Sequence, residues 1–364
     1  MKKYWKKHQR MVNLLARRNK FNEDLIKKTD PLYKYSLDMI VMMTPLLIIG
    51  FYLNGFNAIR VAFWGVVSAV VTEYIACRIM KKDSTIGDLS AAATGLAISL
   101  MLPAVCPSYI PAIGSAFAIA VAKVPFGGAR KAPFTPAAVG FAFLCVCFPE
   151  AVFTYAPITV GTSSPLFGSA DFIAGTSFGE MLSYGKSINL NELEIFSILG
   201  GVNPGPIGTT CMVALLGSAV YLIAKRPRKA AISFSFIFAC AIMAIIFPRV
   251  NSGLTVSLIM ELSSGTLIFV ALILAPNPVS APRKLLPSML YGFSMGIICM
   301  LIRYFGKYSE GACFSILIMN AITPVVTDYY TIIKNRLDKK SSIKAAFGKD
   351  KQQAKLEEGG NDNG

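Results

Sequence analysis

The chain has 364 residues, 54% of them hydrophobic and 15% charged, with a mean hydropathy of +0.54. That balance excludes an ordinary soluble domain of this length. A net charge of +16 would point to nucleic acid in a soluble protein, but eleven basic residues crowd between Lys2 and Lys34 and eight between Lys334 and Lys355. Such runs suit juxtamembrane segments on an anionic leaflet, so the expected surface partner is the lipid bilayer and no nucleic acid.

Residues 1–36 are a basic, cytoplasmic N-terminal segment with no continuous apolar core, hence no cleavable signal peptide. Within it, Lys2 to Arg18 can form a short basic amphipathic helix lying on the membrane surface. Five apolar spans follow in 37–153: Leu37–Tyr52, Arg60–Met80, Leu89–Leu102, Ile110–Ala122 and Pro136–Phe153. The third and fourth are too short for a bilayer core and are bounded by Gly and Pro, as half-helices meeting near a midplane are. Residues 154–206 form a long extracytoplasmic loop whose one basic residue is Lys186. A loop of that length between compact spans is usually functional. Five more spans occupy 207–327: Ile207–Ala224, Ala230–Phe247, Leu254–Ala275, Pro287–Phe305 and Gly311–Thr327. Residues 328–364 are a basic, partly disordered cytoplasmic tail, polar from Gly348 onward.

Charge orients these spans. Thirty-one of the 36 Lys and Arg lie in the two tails and every second loop, leaving Arg60, Lys186, Arg249, Arg303 and Lys307 on the other side. By the positive-inside rule both termini of this multi-pass membrane protein are cytoplasmic. An internal echo adds topology. Asp88-Leu-Ser-Ala-Ala-Ala-Thr-Gly and Glu261-Leu-Ser-Ser-Gly-Thr each begin with an acid and reach a proline, Pro103 or Pro276, fifteen positions later. With five spans per half, the second half must be inverted. The expected fold is therefore all-α and polytopic, about ten transmembrane helices in an inverted 5+5 repeat with short or broken helices.

Eight scattered cysteines without a CxxC pair give no usable iron–sulfur or zinc site, and the single histidine, His8, excludes histidine triads and relays within the membrane. No catalytic residue is expected. Glu73 and Glu261, both well inside apolar spans, are the candidates for an ion pathway, with a structural hydrogen bond to a neighbouring helix as the other reading. Asp38 and Asp88 sit at inner span ends as solvated or capping residues, and Glu310 and Asp328 bracket the last span at the interface. Lys123, Arg130 and Lys131 read as inner-loop charges that set topology. Gly127 and Gly128 beside those positives can cradle a phosphate or simply make a turn. Phe126 and Phe134 flank that turn and can stack on a planar ring or serve as interfacial aromatics.

Four segments then resemble one family. Phe126-Gly-Gly-Ala-Arg-Lys-Ala-Pro-Phe-Thr-Pro-Ala-Ala-Val-Gly140 resembles the FGG…NPFNPAxxG signature of the D subunit of the Rnf electron-transport complex and of its relative, the B subunit of the sodium-pumping NADH:quinone reductase. Asp88 to Pro103 resembles its DxSAxxTGxLLALxLP segment, Gly205-Pro-Ile-Gly208 its GSIGE element, and Glu310 to Pro324 its EGxxFAILLMNxxxPLID ending. The match runs in order from about residue 35 to 330, and the length is that of the Rnf protein. The resemblance implies a non-autonomous membrane subunit of an ion-translocating ferredoxin:NAD oxidoreductase (translocase). Its partners would be other membrane and iron–sulfur subunits, and its electron transfer would be coupled to sodium or proton movement. It also implies an FMN joined through its phosphate to a Thr in an SGATPL or SATPL motif; riboflavin is the alternative flavin. At that position stands Gly161-Thr-Ser-Ser-Pro-Leu166, so Ser164 takes the acceptor's place, or Thr162 with a register shift. Gly127, Gly128, Phe134 and Thr135 are the further candidates for holding such a flavin. The chain departs from the pattern at Ile158, where an acid is expected, at Thr135 and Thr209, and in Ala275-Pro-Asn-Pro278. A redox-silent scaffold of the same complex and a cofactor-free small-solute transporter or channel share this frame.

Overall fold

The computed structural model describes residues 31–81, 86–155, 205–249, 254–277, 279, 281–282, 284–306 and 310–324. The chain divides into two units, Met1–Asn320 and Ala321–Gly364, and of the second only 321–324 are described. All regular structure among the described residues is helical. Four helices are long and apolar enough to cross a membrane: α1 (Pro31–Asn54), α2 (Phe56–Ile79), α8 (Pro227–Ile246) and α11 (Leu285–Phe305). Five apolar helices are shorter: α3 (Ser90–Leu100), α4 (Tyr109–Ala122), α5 (Pro136–Cys147), α7 (Met212–Lys225) and α12 (Ala312–Pro324).

Two expected spans are broken. The fifth stops at Cys147 and resumes as α6 (Pro149–Phe153), because Pro149 has no N–H for the ladder and its ring opposes the preceding turn. The eighth splits into α9 (Leu254–Ser263) and α10 (Leu267–Phe269), the latter running on as a π-helical turn, Val270–Leu274. The pieces Ser257–Ser263 and Leu267–Leu274 meet at 62°. Gly265 makes the corner at φ 64°, a conformation open to glycine at little cost.

The interrupted segments, not the long helices, fill the interior. In α3 every residue except Ala92 is buried, and so are all five residues of Val270–Leu274. A helix apolar on all sides belongs in a core. The α3 C-terminus is closed from afar: Gly208 N–H donates to the Leu100 carbonyl at 2.7 Å and Ile207 N–H to that of Leu102 at 3.0 Å. Glycines allow the close approaches. A Cβ on Gly95 would lie 2.9 Å from the Gly65 carbonyl carbon and from Val66 Cα, and one on Gly296 would lie 2.6 Å from the Phe236 carbonyl oxygen. Small residues at helix crossings are how membrane helices gain dispersion contact when lipid supplies no hydrophobic drive. Outward faces carry the opposite composition. Tyr52, Phe63, Ile79, Val220, Phe238, Leu286 and Phe305 are all more than half exposed.

Candidate functional site

Two clusters of buried charge lie inside the bundle. In the first, Glu73 on α2 meets Lys123, the residue that ends α4, with Nζ 2.5 Å from Oε1 and both side chains fully buried. Asp88 Oδ1 lies 3.8 Å from the same Nζ and is 18% exposed. Asp88 also accepts from the N–H (2.9 Å) and hydroxyl (2.6 Å) of Ser90, so it caps the N-terminus of α3. Above this cluster the α2–α3–α4 packing is lined with small polar groups. Ser99 Oγ donates toward the carbonyls of Val61 and Gly95, and Ser68 Oγ donates to that of Ala112.

In the second cluster, Glu261 near the end of α9 takes both arms of a guanidinium. Arg249 Nε is 2.6 Å from Oε1 and Nη2 is 2.9 Å from Oε2. Arg303, buried in the last turn of α11, donates from Nη1 to the Glu261 carbonyl at 2.9 Å and toward Oε2 at 3.4 Å. Its Nη2 reaches the Ser264 carbonyl at 2.9 Å and hydroxyl at 2.5 Å. Arg249 also donates to the Arg303 carbonyl at 3.2 Å and lies over the Tyr304 ring. Just beyond the corner, the Glu310 carboxylate accepts from Thr266 N–H at 2.8 Å and Thr266 Oγ1 at 2.6 Å, capping α10.

A third polar junction ties family segments together. Thr135, ahead of α5, accepts from Asn277 Nδ2 and Asn320 Nδ2, each at 3.2 Å, and Tyr291 OH donates to Asn320 Oδ1 at 2.9 Å. At another helix junction, Asp38 on α1 holds Arg226 at 2.9 Å and accepts from Tyr221 OH on α7 at 3.1 Å.

Several sequence expectations change here. Lys123 is not an exposed loop charge; it is fully buried and paired with Glu73. Arg303 and Arg249 are partners of a buried acid, not loop charges that report topology. Glu310 is 4% exposed and its carboxylate is taken up by Thr266, so it is packed inside the protein and not solvated. Both ion-pathway candidates, Glu73 and Glu261, carry cationic partners. The signal missed was in the internal echo: Lys123 and Arg303 follow Asp88 and Glu261 at the ends of corresponding apolar runs.

The phosphate-cradle reading of the glycine turn does not fit the described geometry. Gly127 and Gly128, at φ 90° and 100°, give their N–H groups to the carbonyls of Val124 (3.0 Å) and Lys123 (3.1 Å). Phe126 is exposed and Phe134 half-buried. Ser164 and Thr162 lie outside the described residues. No group of His, Cys, Asp and Glu suited to a metal ion occurs among the described residues.

Long apolar helices with exposed apolar faces, interrupted helices at the centre and buried charges held in pairs define a multi-pass membrane protein. The chain belongs to the NQR2, RnfD, RnfE family, whose model matches residues 23–335. It is 31% identical over 309 residues to the D subunit of the proton-translocating ferredoxin:NAD(+) oxidoreductase complex of Clostridium ljungdahlii, covering 83% of this chain and 91% of that one. Over 294 residues it is 31% identical to the D subunit of the Na(+)-translocating complex of Acetobacterium woodii, covering 79% and 86%. The D subunit of the ion-translocating oxidoreductase complex of Haemophilus influenzae is 28% identical over 328 residues, 80% and 90% of the two chains.

Proposed function

We propose that this chain is the D subunit of an ion-translocating ferredoxin:NAD(+) oxidoreductase complex in a prokaryotic plasma membrane. It works with other membrane and iron–sulfur subunits, and electron transfer through the complex drives sodium or protons across the bilayer. The observation that carries this reading is the likeness to the D subunits of such complexes over most of both chains. Ten spans in two inverted halves, with both termini cytoplasmic, accommodate the described helices and the charge alternation. Deleting the gene and restoring it on a plasmid tests the function. Inverted vesicles from the deletion strain are expected to lose ferredoxin-dependent NAD reduction and the accompanying ion uptake together, and to regain both on complementation. Unchanged uptake in the deletion strain contradicts the reading.

The flavin belongs to the 154–206 segment in this proposal, as an FMN phosphoester at Ser164 or, with a register shift, at Thr162. Serine offers the same hydroxyl nucleophile as the family's threonine. Bound there, FMN would relay single electrons; the chain's own task is to hold and bury the ring. Denatured protein made together with its flavin transferase is expected to fluoresce in a gel, and Ser164→Ala to abolish the band. A dark wild-type band supports instead a redox-silent scaffold in the same complex, a reading favoured by Ser164 in place of Thr and Ile158 in place of an acid.

A further inference from the structure

The two charge clusters are built alike but balanced differently. Each joins a base at the end of an apolar helix, Lys123 or Arg303, to the acid that opens an echoed segment, Asp88 or Glu261. In the first, one ammonium, Lys123, faces two carboxylates, Glu73 and Asp88. In the second, one carboxylate, Glu261, faces two guanidinium groups, Arg249 and Arg303. A lone ammonium between two acids is the arrangement in which one acid can exchange it for another cation.

The cations differ in kind as well. Arg249 grips Glu261 in a fork and Arg303 spends its donors on three oxygens of Glu261 and Ser264 at 2.5–2.9 Å plus a longer one at 3.4 Å. A guanidinium so held neither swivels nor loses its proton. Lys123 has a compact ammonium on a flexible stem, with one carboxylate at 2.5 Å and a second at 3.8 Å. A shift of about an ångström or two exchanges one partner for the other. The second carboxylate is also the one member with a path outward, since Asp88 is 18% exposed while Glu73 and Lys123 are sealed.

We propose that Lys123 is the exchangeable cation of the translocation route. A monovalent cation, sodium or proton, enters past Asp88 and takes the ammonium's place on Glu73, while Lys123 moves to Asp88. The cluster gains one positive charge as the cation enters and loses it when the cation leaves. If the ion is a proton, one O–H bond forms on Glu73 and breaks on release, and Lys123 stays protonated throughout. The Glu261–Arg249–Arg303 cluster is a fixed brace outside that route. The inference rests on the membrane-subunit reading above and assigns the residue that makes it work.

The test uses the complete complex in vesicles, given reduced ferredoxin and NAD. Sodium uptake is followed with a radioactive tracer and proton uptake, in a separate arm, with a pH-sensitive dye; NAD reduction is measured with ionophore present. Lys123→Arg keeps the charge but replaces the swivelling ammonium with a fork. Ions moved per NADH are expected to fall at least about tenfold, with ionophore-released NAD reduction kept within about twofold. Arg249→Lys is expected to leave ions per NADH unchanged. Should Lys123→Arg fail to assemble, the paired change Glu73→Gln/Lys123→Met removes both charges and orphans neither; uptake is again expected to vanish while electron transfer continues. Wild-type ion ratios in Lys123→Arg or in the paired variant overturn the proposal. A wild-type complex that reduces NAD without moving either ion overturns the functional reading itself, a result distinct from any loss confined to the variants.

Discussion

Glu73 and Lys123 illustrate how little a buried ion pair says about stability and how much its loss does. Taking two charges out of water costs several kcal/mol each, and their attraction roughly returns it. Removing one partner leaves the other buried and uncompensated. Lys123→Met is therefore expected to destabilise the protein by about 3–5 kcal/mol, while Glu73→Gln/Lys123→Met lies within about 1–2 kcal/mol of wild type. Thermal unfolding in detergent, read by size-exclusion fluorescence, checks the order; a double variant no better than the single one contradicts it. The acid of this pair was legible in the sequence because a Glu amid Val70, Val71, Ile75 and Ala76 stands out in an apolar run. Its partner was not. Lys123 lies beside Pro125-Phe-Gly-Gly, where a basic residue looks like one more topology charge. What seals it is packing among α2, α3 and α4, which no local pattern reports.

At the scale of single elements, the same residue type has opposite consequences in different helices. Gly217 sits inside α7 with nothing within 4 Å of an added Cβ. Gly217→Ala is expected to stabilise by about 0.5–1 kcal/mol, because glycine loses more backbone entropy on folding. Gly95 in α3 faces the Gly65 backbone, so Gly95→Ala forces two main chains apart at a cost of about 1–3 kcal/mol. The two melting temperatures, compared with wild type in one detergent, should move in opposite directions. Gly265→Ala should lose more stability than Gly217→Ala gains, since its Cβ meets a positive φ and the Glu310 carboxylate together. The long helices were readable from hydropathy to within a few residues, α2 being expected at 60–80 and found at Phe56–Ile79. The broken ones were readable as unusual, through shortness and Gly/Pro boundaries, but not in detail. The 62° corner before α10 depends on Glu310 reaching back to Thr266, a contact spanning 44 residues.

For the molecule as a whole, the buried pairs bear on orientation. In the proposed ten-span topology Arg249 and Arg303 fall on the side poor in positive charge, and both are held by Glu261 inside the protein. Arg60 on the same side is partly buried and donates to the Cys106 carbonyl. Discounting these three leaves Lys186 and Lys307 there, against twenty-eight of thirty-one on the opposite side once Lys123, Arg226 and Lys229 are set aside by the same test. The bias is thus stronger than a plain count suggests, since only charges near span ends and free to meet the leaflet direct insertion. Cysteine accessibility tests the orientation that follows. Seven of the eight native cysteines are buried and Cys147 is exposed, so Cys147→Ser gives a background of low reactivity. On it, Lys186→Cys should react with a membrane-impermeant maleimide in intact cells, and Lys334→Cys only after permeabilisation. Labelling in the reverse order would put the 154–206 segment in the cytoplasm, and the charge bias would then not be what orients this chain.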